Sequence, residues 1–236
     1  MKRKALLIGN SNGLKGVKLD ITNLSNFLKS DRGGAWYNLE IEILMNPTKS
    51  VLTETIQKIK KDSPDFSVVL FSGHGGYRKQ TVLELNKDGE TVDESLLLNI
   101  APRQITILDC CRVLDEPLYE GLEKFTVEAN RSKSLNTVRY RYDQRIMQAI
   151  PQQARLYSCS VGQPSYDTPN GAKYLNNLLN SAKDIDTYSS FKTVELAHTE
   201  AANATTMSTR DSEVVQSPEA ILPKCLTSQQ LIISIN

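Results

Sequence analysis

Histidine is scarce in this chain: its 236 residues include two, His74 and His198. A multi-histidine metal centre is thereby almost excluded, and an imidazole-dependent catalyst has only two candidates. Cysteine is sparse as well. Four cysteines in this length do not make a disulfide scaffold, and no C-x-x-C pair suggests zinc or redox chemistry. Charge of one sign is missing too, since 28 basic residues face 27 acidic ones. No global field therefore favours nucleic acid or an anionic membrane. No apolar run approaches the roughly 20 residues of a membrane span. The short apolar run in "MKRKALLIGN" also falls below the roughly 7–15 residues of a signal peptide. The expectation is a cytoplasmic, reduced protein in which a free thiol survives, with neither nucleic acid nor membrane as partner.

What is present is an alternation of apolar β-type runs with helical patterns. Ala5 to Gly9 reads as a buried strand, and Val17 to Lys29 carries Val17, Ile21, Leu24 and Leu28 at helical spacing. Leu39 to Met45 reads as a strand, and "NPT" then opens a helix through about Lys61. Phe66 to Phe71, Ile105 to Leu108 and Ala154 to Cys159 are further apolar strands. Thr81 to Leu85 reads as a hairpin arm, Tyr140 to Ile150 and Lys192 to Ala204 as helices, and Gln230 to Ile235 as a closing strand. Arg112 to Ser134 lacks periodicity and is expected to be a mobile loop. Unalternating strands between helices require a mostly parallel sheet covered on both faces, so the fold class is α/β with three layers in a single domain, residues 1–236.

Two short stretches carry the chemistry. His74, in "VVLFSGHGG", lies three residues beyond one strand, and Cys111, in "ITILDCCRV", lies three beyond another. Ligands in open α/β sheets bind outside the carboxyl ends of strands. If these strands are neighbours, about 4.8 Å apart, the imidazole and the thiol leave the same edge together. A free thiol has a pKa of about 8.5, and only the thiolate attacks, so a neighbouring imidazole supplies what the cysteine needs. The backbone N–H groups of Gly75 and Cys111 are candidates for an oxyanion hole. Residues 109 and 111 of an extended strand point to one side and 110 to the other, so if 109 and 111 face the site, Cys110 packs inward. His198, in "VELAHTE", reads as an ordinary helix residue.

At this point the residues resemble a known family. "SGHGG" after one strand and "LDCCR" after the next resemble the caspase-like cysteine proteases (peptidase C14 type), above all the metacaspases and prokaryotic orthocaspases. "ALLIGN" with "LKGVKLDITNL" resembles the family's first strand and helix, and "ARLYSCSVGQPSYD" with "NGAKYLNNLL" the start of its small-subunit region. "QSPE" recurs before its last strand. The resemblance implies a three-layer fold around a mostly parallel sheet of about six strands. It divides the chain into a large-subunit-like part (1–111), a loop and helix connection (112–153) and a small-subunit-like part (154–236). His74 and Cys111 stand 37 positions apart (111 less 74), against roughly 50 in animal caspases. In the family's D-x-C pattern Cys111 is the nucleophile, with His74 as its partner.

The same resemblance bears on specificity. Metacaspase-like enzymes carry one acid two residues before the cysteine and another on the first helix, and Asp109 and Asp20 match these positions. Leu14 stands about where caspases place an arginine. Two carboxylates would pair with arginine or lysine and repel acidic residues, implying cleavage of protein substrates after Arg, less readily after Lys. Three departures accompany the match: Val113 follows Arg112 where the family has glycine or a His-Ser-Gly run. Ser160, Val161 and Gly162 leave no calcium ligands where calcium-dependent metacaspases have paired acids, so no metal or cofactor is expected. No recruitment domain is visible, which leaves regulation to loops or a separate protein partner. The alternative readings are a catalytically silent caspase-like scaffold or dimerisation module, and a thioesterase-like hydrolase on the same dyad. Arg131, Lys133, Arg139 and Arg141 leave room for self-processing. Intact mass checks this: an active enzyme that matures should appear as two fragments, whereas its Cys111→Ala form stays whole, and identical single-chain masses apart from the substitution would refute it.

Overall fold

The computed structural model describes residues 1–114 and 135–236. In chain order the elements are β1 (Arg3–Gly9), α1 (Val17–Lys29), β2 (Ile41–Met45), α2 (Lys49–Lys61), β3 (Phe66–Ser72), β4 (Gly75–Tyr77), β5 (Thr81–Glu84), β6 (Thr91–Asp93) and β7 (Arg103–Asp109). After residues 115–134 come α3 (Leu135–Gln148), β8 (Gln152–Tyr157), β9 (Asp167–Thr168), β10 (Gly171–Ala172), α4 (Lys173–Lys183), β11 (Phe191–Thr193), α5 (Val194–Ser208), β12 (Glu219–Ile221) and β13 (Ile232–Ile235). Most of the expected mobile loop, Arg112 to Ser134, lies outside the described residues.

The central sheet has six strands in the order β12-β8-β7-β3-β1-β2, parallel except for β12, which runs antiparallel to β8. Its two faces follow from the period-two alternation of apolar strands. Leu7, Val68, Leu70, Ile105, Ile107 and Leu156 face a core closed by α1, α3, α4, α5 and β13. Leu6, Ile8, Val69, Phe71 and Leu108 face a second core built with Leu52, Ile56 and Ile59 of α2 and with the small sheet β4-β5-β6. The expected α/β architecture of three layers, with a mostly parallel sheet of six strands, is the one found.

Local chemistry explains the boundaries. α2 begins where "NPT" predicts, because the Thr48 hydroxyl accepts the Val51 N–H at 3.3 Å. Thr193 caps α5 in the same way through the Leu196 N–H at 3.2 Å, so Lys192 belongs to β11 rather than to the helix. The closing strand Gln230 to Ile235 forms as β13, but it pairs with β11 instead of joining the central sheet. The sixth place goes to β12, a three-residue edge strand too short to be marked by periodicity. One buried link outside the site matters for stability: Tyr174 Oη on α4 is hydrogen-bonded to Nδ1 of His198 on α5 at 2.7 Å.

Burial lowers the His198 pKa to about 4, against about 6.5 in an unfolded chain. The unfolded state therefore takes up a proton first on acidification, and stability is lost as pH falls from 6.5 towards 4. Urea unfolding at about pH 7 and about pH 5 should show wild type losing roughly 2 kcal/mol more than His198→Gln. Equal losses in the two proteins would refute the assignment.

Candidate active site

β3 and β7 lie side by side with Ser72 opposite Asp109. The residues two positions further along, His74 and Cys111, therefore leave the sheet in register. The Gly73 N–H donates to the Asp109 carbonyl at 3.1 Å and keeps the two chains together beyond the strands. His74, Cys111, Asp20 and Asp109 line one cleft of about 220 Å³, together with Leu14, Val17, Ser72, Ser165, Tyr166 and Asp167. All the side chains singled out from the sequence for chemistry thus come to one place.

His74 is 8% exposed, and its Nε2 lies 2.5 Å from the Asn12 carbonyl. A carbonyl only accepts, so Nε2 carries a proton and Nδ1 is the ring nitrogen left for other partners. The Cys111 sulfur receives the Ser165 N–H at 3.3 Å and faces the Ser165 carbonyl at 3.8 Å. Burial pushes this thiol's pKa up, and the Asp109 charge adds to the effect, while the Ser165 N–H opposes it. Left to itself, the sulfur keeps its proton and requires a base. Cys110 packs into the core on the α2 side of the sheet, as the alternation predicts.

The acids are held by helix N-termini. Asp20 is buried on α1, with Oδ2 accepting from the Ser72 hydroxyl at 2.6 Å and Oδ1 from the Ala172 N–H at 2.8 Å. Asp109 accepts from the Ser165 hydroxyl at 2.7 Å and from the Leu175 N–H at 3.1 Å. Both carboxylates thereby satisfy donors at the start of α4, where the helix dipole favours negative charge. Gly171 (φ +97°) makes the approach possible: a Cβ there would lie 2.4 Å from Asp20 Oδ1. Burial raises both pKa values, that of Asp109 to about 6, and the charge of Asp109 raises Asp20 further.

Two residues in the cleft region were not identified from sequence. Asp167 accepts the Gly16 N–H at 3.0 Å, just ahead of α1, while its Oδ1 is buried without a hydrogen-bond partner. It comes from a two-residue strand far along the chain, and an isolated acid in "SYD" carries no pattern. Gln216 is fully buried and donates to the Ser158 carbonyl at 2.7 Å and to the Ser165 hydroxyl at 3.3 Å, bracing the segment that contacts the thiol. Arg112 has a larger part than its sequence position suggested. Its guanidinium stacks 4.2 Å from the Tyr157 ring centre and 5.4 Å from that of Tyr77. It also donates to the Cys159 carbonyl at 3.1 Å and to Glu219 at 2.9 Å. Val113 contributes its carbonyl, which accepts the Tyr77 N–H at 3.0 Å. Among the described residues no group of three His, Cys, Asp or Glu is placed to hold a metal ion, and no helix is long and apolar enough to cross a membrane.

The fold and the cleft define a three-layer α/β protein that presents a thiol and an imidazole at adjoining strand ends above an acidic pocket. The chain belongs to the caspase-domain peptidases: the family profile Peptidase C14, caspase domain, matches residues 2–219. Metacaspase-1 of Debaryomyces hansenii is 35% identical over 171 residues, covering 58% of this chain and 39% of that protein. Metacaspase-1 of Scheffersomyces stipitis is 34% identical over 93 residues, covering 34% and 23%. The chain thus spans less than half the length of these curated relatives. The crystal structure of caspase-1 from Spodoptera frugiperda superposes with a TM-score of 0.64 at 14% identity, covering 98% of this chain and 88% of that one.

A Cβ on Gly75 would lie 2.8 Å from Cys110 Sγ, 2.9 Å from Cys110 Cβ and 3.0 Å from the Cys111 carbonyl oxygen. Gly75→Ala should therefore destabilise the protein by about 1–3 kcal/mol and slow alkylation of Cys111. Adding Cys110→Ala should restore only part of the loss, since it removes the sulfur but neither the Cys110 Cβ nor the Cys111 carbonyl. Thermal unfolding and mass-resolved alkylation check this, and an unperturbed Gly75→Ala protein would contradict it.

Proposed function

We propose that the chain is a cysteine endopeptidase that cuts protein substrates after arginine, and less readily after lysine, with Cys111 as nucleophile and His74 as its base. One observation carries the reading: a thiol, an imidazole held through its Nε2 and three carboxylates line a single cleft. His74 takes the Cys111 proton as the sulfur attacks the scissile carbonyl, then gives it to the departing amine. The N–H groups of Gly75 and Cys111 receive the oxyanion, and water releases the acyl group from sulfur. Asp20 and Asp109 would share a guanidinium, joined by Asp167, whose free Oδ1 is a ready acceptor. An acidic residue in the same place meets like charge. A thiolate enzyme suits a reducing compartment such as the cytoplasm.

Residues 1–111 would correspond to the large-subunit part, 112–153 to the connection and 154–236 to the small-subunit part. Self-processing at Arg139 or Arg141 would require α3 to unwind, because both lie within it and Arg139 is ion-paired with Glu40. Arg131 and Lys133 lie outside the described residues.

Reporter peptides varied at the residue before the cleaved bond test the whole reading. Wild type should prefer Arg, Cys111→Ala should be inactive and Cys110→Ala active. Asp20→Asn and Asp109→Asn should each lower kcat/KM for Arg peptides by about ten- to a hundredfold. The carboxylates protonate on acidification, so the Arg preference should weaken as pH falls through about 6. No turnover by wild type would favour the silent scaffold, and loss confined to Cys110→Ala would move the nucleophile.

A further inference from the structure

The tautomer and tilt of His74 depend on one backbone atom, the Asn12 carbonyl oxygen 2.5 Å from Nε2. Asn12 is exposed, and it is followed by Gly13 at φ +69° in a turn closed by the Leu14 N–H and the Ser11 carbonyl at 3.3 Å. The Asn12 N–H is itself held by Asn10 Oδ1 at 3.1 Å. The turn calls for glycine because other residues resist a positive φ. Glycine also leaves its own backbone nitrogen unshielded, and that nitrogen sits next to an asparagine amide. We propose that Asn12 is a modification site, where spontaneous deamidation to isoaspartate disconnects His74 and switches the cleft off with age.

The reaction needs no oxidant and no partner other than water. The Gly13 nitrogen loses its proton and attacks Asn12 Cγ, a C–N bond forms, and the side-chain nitrogen leaves as ammonia with that proton. Water then opens the cyclic imide. Opening at the former backbone carbonyl sends the chain through Cβ and Cγ, one carbon longer, and leaves the old carbonyl as a free carboxylate. Opening at Cγ gives ordinary aspartate. In the isoaspartyl product the acceptor of the His74 proton is displaced and negatively charged, so the fixed ring orientation is lost. The chain's other Asn-Gly pair, Asn170–Gly171, serves as an internal comparison. There the Asn170 carbonyl accepts from Asn176 Nδ2 at 2.7 Å and holds no residue of the dyad.

The consequence for activity rests on His74 acting as base, so the test follows the thiol as well as turnover. The full chain is aged at mildly alkaline pH and physiological temperature, and charge variants are separated by ion exchange. Peptide mapping with isoaspartyl methylation then locates the change, and the rate of Cys111 alkylation by iodoacetamide is measured in each fraction. Molecules carrying isoaspartate at position 12 should alkylate at least about tenfold more slowly, as expected when a general base is lost. Molecules changed only at Asn170, next to the Gly171–Ala172 contact with Asp20 but not to the dyad, should slow clearly less than those changed at position 12. Asn12→Gln closes an imide far less readily and should hold its own starting rate, whatever that is, throughout. Absence of isoaspartate at position 12, its presence with unchanged alkylation, or a loss that tracks Asn170 would each overturn the proposal. A protein with no peptidase turnover at all would count against the proposed function, and the alkylation arm would still decide this one.

Discussion

Three carboxylates come together beneath Cys111 and His74, and removing such charges from water costs several kcal/mol each unless donors replace the lost solvent. The replacement comes mainly from the backbone. The start of α4 supplies the Ala172 and Leu175 N–H groups to Asp20 and Asp109, and the residue ahead of α1 supplies its N–H to Asp167. Ser72 and Ser165 complete the set. Because Asp20 lies on α1 and Asp109 at the end of β7, this arrangement ties the first helix, a central strand and the opening of α4 to one another. The acidic pocket is thus also a joint of the fold. The burial that makes the acids costly is also what would make them strong for a cationic side chain, since few waters remain to screen them.

The thiol and imidazole depend on a different constraint, the register of β3 against β7. With Ser72 opposite Asp109, the loops bearing His74 and Cys111 emerge side by side. A slip of one residue would turn one side chain into the opposite core. That register is secured on both faces, by Val68, Leu70, Ile105 and Ile107 below and by Val69, Phe71 and Leu108 above. Beyond the strands the loops are pinned separately. The Asn12 carbonyl holds His74, and Arg112 is clamped by Tyr77, Tyr157 and Glu219 next to the backbone of Cys111. The loops at the carboxyl edge of the sheet are thus held by hydrogen bonds and ring contacts at His74 and Arg112.

The N-terminal half was the more legible part of the chain. α1 runs over the residues that its 3.6-residue spacing marks, and β3 and β7 extend the apolar runs by a residue or two. Long, periodic elements announce themselves because one face must meet a core. β12, β4, β6 and the β9–β10 pair span only two or three residues each and carry no period, so only their partners define them. β13 shows the other kind of gap: its residues identify a strand, but not which sheet it joins. Asp167 and Gln216 escaped notice for the same reason, since a single acid or amide acquires meaning only from what folds against it.

The sequence by itself determined the α/β class, the two stretches that carry thiol and imidazole, and the opposite facing of residues 110 and 111, because periodicity and strand alternation are local properties of the chain. The tertiary structure alone decided that Asn12 holds His74, that Ser165 covers the sulfur, and that the acids rest on the N-termini of α1 and α4. Those contacts join residues as far apart as Asp20 and Ala172, or Gly16 and Asp167. Hydrogen bonds are short-ranged, so pairings across such separations exist only once the sheet has brought the segments together.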